Sequence, residues 1–172
     1  MKWILLIFLA LIGLAAVLML IGWMLPKDHV ATRMGRYRQP PQVLWAAITD
    51  VDAMPSWREG LKSVKHLPDR NGLPVHVEVT SDGEIPMETV EWSAPRKLVR
   101  RISDPKLPFG GTWTFEIAPA AQGATLRITE NGYVRNPMFR FLARFVFGYT
   151  GQMDSLLRSL AKKFGERPEI GD

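Results

Sequence analysis

The feature that most constrains this chain is an uninterrupted apolar segment near its N-terminus. From Trp3 to Leu25 every residue is apolar or glycine, and the segment is bounded by Lys2 on one side and by Pro26-Lys27-Asp28 on the other. As a helix it would extend about 35 Å at roughly 1.5 Å per residue, which exceeds the thickness of a bilayer's hydrocarbon core, about 30 Å. The segment therefore predicts a helix that can cross a membrane.

Two other interpretations of this segment have to be weighed. A cleaved secretory signal has a shorter apolar core, usually about 7–15 residues, and small residues at its cleavage site, whereas this segment ends in Ile21-Gly22-Trp23-Met24-Leu25. A buried core helix of this length without a polar face would be unusual in a small protein. We favour an uncleaved, single-pass anchor over residues 1–26, followed by one domain at 27–166 and a short tail at 167–172.

The charges bear on where that domain lies and on what it binds. Basic residues follow the apolar segment closely, and positive flanks are retained on the cytoplasmic side, so a cytoplasmic domain is preferred over a periplasmic or extracellular one. The residues in question are Lys27, Arg33, Arg36 and Arg38. The whole chain has 22 basic and 17 acidic residues, a net charge of +5 at pH 7. Because the basic residues are scattered, we expect no nucleic-acid partner. The excess positive charge would instead attract the protein to anionic lipid headgroups.

Residue types with strong chemistry are sparse. The chain has no cysteine, which excludes disulfides and thiolate catalysis. His29, His66 and His76 lie on different predicted elements without a ligand pattern, and we interpret them as solvated or edge residues. The sequence therefore predicts no metal site and no cofactor, and it assigns no catalytic residue.

Periodicity and turn residues predict the order of elements beyond the anchor. A first strand over 28–38 precedes a helix that begins at Pro41, and a second short helix covers roughly 54–60. Between 61 and 130 alternating apolar patterns separated by turn-forming residues predict about six strands.

A single long helix is predicted to end the domain. Asn136 suits its N-cap, Pro137 its first position and Gly165 the position beyond its end. The complete order favours an α+β fold in which a curved antiparallel sheet of about six or seven strands wraps around this helix.

Four segments of the soluble part carry a resemblance to a known group of proteins. They are Pro55-Ser56-Trp57, Gly111–Phe115, Ile128–Glu130 and the run Asn136–Gly148. Together with the element order they resemble the SRPBCC superfamily, the START-like, helix-grip group that includes polyketide cyclase/dehydrase-like proteins. The resemblance covers roughly residues 29–166. It implies an internal cavity that binds lipids, polyketides or other apolar small molecules, but not one particular chemistry.

Strand alternation and the apolar stripe of the last helix suggest which side chains line such a cavity. The apolar and aromatic candidates are Val77, Val79, Met87, Trp113, Phe115, Tyr149 and Met153. Arg100 and Glu130 are the polar candidates, because alternation would place each on the inward side of its strand. An inward Glu130 could also act as an acid or base. The simpler interpretation, which the sequence favours, leaves Glu130 in water at a strand end and Arg100 on the outer face.

The aromatic residues of the last helix fall on more than one of its sides. Phe141 and Phe145 could line a cavity mouth or dip into the bilayer, with Arg140 and Arg144 at the headgroups. Alternatively they pack against the short helices or the loop at 105–108, which we favour. Gly148 and Gly151 would allow the helix to bend and to gate an opening.

These patterns predict a membrane-anchored domain that binds or carries a hydrophobic small molecule or lipid in an internal cavity. One alternative is a polyketide cyclase/dehydratase-like enzyme, which would need an inward acid–base pair. Another is a tethered interaction module whose aromatic helix docks onto a membrane protein. The absence of a recognisable catalytic set favours binding over catalysis, and no protein partner is indicated.

Overall fold

The computed structural model describes residues 2–172, and its apolar segment forms one helix, α1, over Lys2–Met24. Apart from the half-buried Leu18, the large side chains of α1 are exposed along its length, from 36% at Ile21 to 78% at Trp3. This exposure excludes a buried core helix. By length and composition α1 can cross a membrane, a property that signal sequences share.

The remainder of the chain is built on one antiparallel sheet. Its strands are β1 Asp28–Tyr37, β2 Leu61–Arg70, β3 Leu73–Thr80, β4 Glu84–Ser93, β5 Lys97–Ile102, β6 Phe109–Ala120, β7 Gly123–Val134 and β8 Glu169–Gly171. Their order in the sheet is β2-β3-β4-β5-β6-β7-β1-β8. The sheet has one strand more than expected because β8, from the predicted tail, pairs with Met34 to Arg36 of β1. The predicted α+β class and curved sheet are confirmed.

Short helices cover one face of this sheet. They are α2 Pro41–Thr49, a 3₁₀ turn Met54–Ser56, α3 Pro137–Leu142 and α4 Gly151–Lys163. Proline at the first position of α2 and α3 is favourable because its missing N–H would have no intrahelical partner there. Asn136 caps α3 as predicted, since its side-chain Oδ1 accepts hydrogen bonds from the backbone N–H groups of Met138 (2.9 Å) and Phe139 (3.2 Å).

The predicted continuous C-terminal helix is interrupted. After α3 the chain forms a π-helical turn, Ala143–Phe147, and then breaks at Gly148, where φ is 72° and ψ is 169°. Only glycine adopts this conformation without strain, so Gly148 determines where the helix ends. The apolar stripe is thereby divided, because α4 is buried on the sheet whereas Phe145 to Phe147 are 59–70% exposed.

The hydrophobic core lies between α2, α4 and the face of the sheet that they cover, which we call the concave face. Fully buried leucine and isoleucine side chains from both sides form its centre; they are Leu44, Ile48, Leu157, Leu160, Leu98, Leu126 and Ile128. Tyr37, at the end of β1, donates a hydrogen bond from its hydroxyl to the carbonyl oxygen of Leu157 (3.0 Å). This packing fills the end of the sheet where β1 stops and β7 begins, because Tyr37 pairs with Ala124.

Candidate ligand-binding cavity

A cavity of about 590 Å³ opens at the opposite end of the sheet, where β1 begins and β7 ends. The start of β6, the β3–β4 hairpin, α3 and the π-helical turn complete its wall. Its lining is mainly apolar and includes Ile85, Leu107, Phe109, Val134, Phe139 and Leu142. Small-molecule sites commonly have volumes of about 300–1,000 Å³ and linings of this kind, so the cavity can hold an apolar ligand.

Two polar side chains face this cavity from neighbouring strands. Oε1 of Glu130 lies 3.5 Å from Nε2 of His29, and the two side chains are 19% and 11% exposed. The ring of His29 stacks on Tyr149 with 4.0 Å between the centroids. Nδ1 of His29 is buried and has no hydrogen-bond partner among residues 2–172. The cavity thus combines a mainly apolar wall with a histidine–carboxylate pair.

Burial shifts the pKa values of both Glu130 and His29. It raises the pKa of Glu130 to about 7, although a hydrogen bond from the Trp113 indole opposes the shift. Burial also lowers the pKa of His29, against the charge of Asp28. Near neutral pH the carboxyl group of Glu130 therefore exchanges between its acid and carboxylate forms, while His29 is mainly neutral.

The simpler interpretation of Glu130 and Arg100 does not hold, because both side chains face the concave side. Glu130 lines the cavity. Arg100 is only 3% exposed, and its guanidinium donates a hydrogen bond to the carbonyl oxygen of Ile48 in α2 (3.0 Å). Arg100 lies deeper than the cavity lining, so the two polar candidates occupy different environments.

Arg100 belongs to a buried charged cluster that we did not predict, formed by Arg58, His76, Glu78 and Arg100. Nη1 of Arg58 lies 2.6 Å from Oε1 of Glu78, and Nε2 of His76 lies 3.8 Å from the same oxygen. Burial alone would raise the pKa of Glu78, but the nearby His76 ring and the charge and hydrogen bond of Arg58 outweigh burial and hold the pKa at about 2. Burial lowers the pKa of Arg100 to about 10. The cluster is therefore a buried ionic network, and His76, with 1% exposure, is not the solvated residue expected.

Val77 and Val79 do not line the cavity, which corrects the expectation for these two residues. Their neighbours His76 and Glu78 pair with Met87 and Ile85 of β4 and contribute to the concave face. Alternation then directs Val77 and Val79 to the convex face. The expectation took the apolar half of an alternating strand to face inward, whereas in β3 the inward residues are His76 and Glu78, and Arg58 pairs with Glu78 from another element.

Only two of the predicted lining residues, Glu130 and Tyr149, are part of the cavity wall that the structure describes. Phe115 and Met153 lie in the hydrophobic core, and Trp113 packs against it. Met87, with 7% exposure, is also buried on the concave side. His29 was missed, although alternation back from Tyr37 would have placed it inward.

The wall formed by α3 also contacts α1. Gly22 of α1 lies so close to the backbone of Pro137 that no side chain fits between them. Nη1 of Arg140 donates a hydrogen bond to the carbonyl oxygen of Leu25 (2.7 Å), just past the end of α1. Arg140 is therefore 3% exposed, which contradicts the less favoured alternative that placed it at the headgroups. The backbone N–H of Val134 donates to the carbonyl of Lys27 (2.9 Å), so α1, β7 and the cavity wall meet in one region.

The described part of the chain, residues 2–172, contains no group of three His, Asp or Glu side chains arranged to hold a metal ion.

Solved structures with the same fold are known. Norcoclaurine synthase from Thalictrum flavum is similar over 81% of this chain and 88% of its own, with a TM-score of 0.63 and 10% identity. A Thermobifida fusca protein solved by NMR is similar over 81% and 94%, with a TM-score of 0.60 and 18% identity. The di-domain ARO/CYC protein StfQ of the steffimycin biosynthetic pathway is similar over 81% and 52%, with a TM-score of 0.57 and 14% identity. At these identities the likeness establishes the fold and not the activity.

No curated protein sequence matches the chain. The family described as polyketide cyclase / dehydrase and lipid transport matches residues 38–165. The matched region begins after α1 and β1 and extends through α4, so it contains most of the sheet and all the helices that cover it. The SRPBCC resemblance is confirmed, and the chain belongs to the polyketide cyclase / dehydrase and lipid transport family.

Proposed function

We propose that the protein is a membrane-tethered binding domain that holds a hydrophobic small molecule or lipid in the cavity beside its anchor. One observation carries this proposal: α3, which lines the cavity, also packs against the last turn of the helix that can cross a membrane. A ligand leaving the cavity past α3 would then be next to the bilayer.

The α1–α3 contact supports a retained helix rather than a cleaved signal. Removal of α1 would leave the guanidinium of Arg140 without the Leu25 carbonyl and the backbone of Pro137 without Gly22. Losing the partner of a buried donor is costly, so a domain that uses both contacts would be destabilised by cleavage.

Exposed apolar side chains around this contact support a position at the membrane surface. Phe139, Phe145 and Phe147 are 48%, 59% and 70% exposed, and Trp23 on α1 is 71% exposed. A patch of this kind is unfavourable in water but favourable at a bilayer interface, where aromatic rings are enriched. Because Phe139 and Phe147 also line the cavity, the cavity mouth would face lipid.

The binding proposal can be tested with the full chain in lipid nanodiscs. We expect native mass spectrometry and solvent extraction to detect a bound apolar molecule at about one per protein. Ala143→Trp would fill the cavity from its wall and reduce that occupancy, whereas Ala121→Trp, in the exposed β6–β7 turn, would not. Equal occupancy in both variants would show that the cavity is not the binding site.

A second candidate function is acid–base catalysis by the same site. The observation that favours it is the 3.5 Å separation between Glu130 and His29, together with a pKa of about 7 for Glu130, which suits proton transfer at neutral pH. On this proposal Glu130→Gln abolishes turnover of a polyketide-like substrate while its affinity is retained. Turnover that survives the substitution would reject it.

A further inference from the structure

The charge of the cavity lining is opposite to that of the whole protein. Its carboxylates are Asp82, Glu84 and Glu130, and no Lys or Arg lies on the lining as the structure describes it, although the chain has a net charge of +5. Glu84 is paired with Lys65 of β2, and Asp82 is exposed in the β3–β4 hairpin at the mouth. A phosphate or carboxylate headgroup would therefore meet only negative charge inside the cavity.

Glu130 is the least exposed member of this set, with a half-buried side chain, and has no Lys or Arg beside it on the lining. Arg100, on the concave face nearby, is already engaged by the carbonyl of Ile48 and the charge of Glu78. Glu130 lies beside His29 and accepts a hydrogen bond from the Trp113 indole. The other titratable and hydrogen-bonding side chains on the cavity lining are Thr80, Asp82, Glu84, Tyr133, Tyr149 and Gln152. The lining residues of α3 and the π-helical turn are uncharged. A buried carboxylate without a counter-charge is unstable, and a ligand cation would relieve that instability.

We propose that the cavity takes an amphiphile with a protonated amine, whose apolar part lies against α3 and whose ammonium group pairs with the Glu130 carboxylate. This inference rests on the proposed binding function and names the ligand class. His29 supplies a second acceptor. When neutral His29 carries its hydrogen on Nε2, directed towards Glu130, its Nδ1 can accept a hydrogen bond, and Nδ1 is buried without a partner among the described residues. An ammonium group offers three donors and no acceptor, which complements these two acceptors. Fatty acids and other anionic amphiphiles are disfavoured.

The test uses three probes that differ only in their polar end: tetradecylamine, tetradecanol and tetradecanoic acid. They are presented together, in equal amounts, to the full chain in zwitterionic nanodiscs at about pH 8, where Glu130 is mainly ionised. Native mass spectrometry then measures the retained amount of each probe. We expect the amine to be retained about tenfold more than the acid, and more than the alcohol, because only the ammonium forms a charge-assisted hydrogen bond with Glu130.

Comparison with two variants separates recognition from partitioning of the probes into lipid. Glu130→Gln should reduce amine retention to the level of the alcohol. Glu116→Gln removes an exposed carboxylate on the convex face of β6 and should leave retention unchanged. The ratio of variant to wild type cancels the partitioning, since the nanodiscs are identical.

A pH series on the wild-type protein tests the same pairing without a substitution. The retained amine should increase as the pH rises through about 7, because Glu130 loses its proton there while an alkylammonium stays charged. Three results would each overturn the amine proposal and leave the binding function standing. They are equal retention of amine and alcohol at the highest pH, stronger retention of the acid, and an unchanged amine-to-alcohol ratio in Glu130→Gln. Retention of none of the three probes would instead reject the binding function itself.

Discussion

Gly22, in the last turn of α1, lies directly against the backbone of Pro137, the first residue of α3. Pro137 follows the capping residue Asn136 and begins the helix that forms one wall of the cavity. This contact therefore sets the position of the cavity wall relative to the helix that can enter a membrane. The hydrogen bond from Arg140 to the carbonyl of Leu25 holds the same two elements together.

Gly22→Val should separate α1 from α3, because the added side chain would overlap the Pro137 backbone, which cannot yield. We expect the backbone amides of α3 to exchange with deuterium about tenfold faster in the full chain, since local opening becomes easier. Gly13→Val is the matched control, as no atom lies within 4 Å of a side chain added there. Identical exchange in the two variants would show that the contact does not restrain α3.

Glu130→Gln should stabilise the fold at alkaline pH. The pKa of Glu130 is about 7 in the folded protein against an ordinary value of 4.5, so the folded state binds a proton more tightly than the unfolded state. The stability from this proton is complete below pH 4.5 and is lost as the pH rises to about 7. The loss corresponds to about 3 kcal/mol, which glutamine avoids.

Thermal unfolding followed by circular dichroism checks this expectation. The variant should unfold at a higher temperature than the wild type at about pH 8, and the two should differ little at about pH 4. A variant that is less stable than the wild type at the higher pH would contradict the assigned environment of Glu130.

Glu78→Gln should destabilise the protein by about 3–5 kcal/mol at neutral pH, because the buried guanidinium of Arg100 and the nearby Arg58 lose their anion. The pKa of Glu78 is depressed to about 2, so its stabilising effect is present above pH 4.5 and is lost as the pH falls towards 2. Denaturant unfolding measures the difference.

Glu88→Gln provides the comparison for Glu78. Glu88 also has arginine partners, but its partners Arg70 and Arg101 are 57% and 53% exposed and can be solvated when the carboxylate is removed. A much smaller loss of stability is therefore expected. Equal losses for the two variants would mean that burial of Arg100 does not matter.

Gly148→Ala should cost about 1–3 kcal/mol, because its φ of 72° with an extended ψ strains any residue that has a side chain. Gly151→Ala, at the start of α4, has open space around the new methyl group and should be neutral or stabilising by about 0.4–1 kcal/mol. Melting temperatures of the two variants check the contrast. A Gly148→Ala protein as stable as the wild type would show that the break between the π-helical turn and α4 does not depend on glycine.

Local signals were sufficient for most of the elements. Asn136 and Pro137 started α3 where expected, since a cap and a preset φ act within one turn. Turn residues such as Asn71-Gly72 separated β2 from β3 because their backbone preferences are also local. The sequence did not predict the break at Gly148 or the pairing of β8 with β1, because both depend on how distant parts of the chain pack.

By itself the amino-acid sequence determined the apolar N-terminal helix, the strand-rich domain and the family, because these follow from composition, periodicity and short motifs. Only the tertiary fold decided which face of β3 lies on the concave side of the sheet, since residues on both of its faces are buried. Alternation separates the two faces of a strand but does not say which one points inward. In β3 the positive charges of Arg58 and Arg100 stabilise an inward Glu78 carboxylate. Tertiary structure likewise decided that the cavity opens beside α1, because a contact between Gly22 and Pro137 joins residues that lie far apart in the chain.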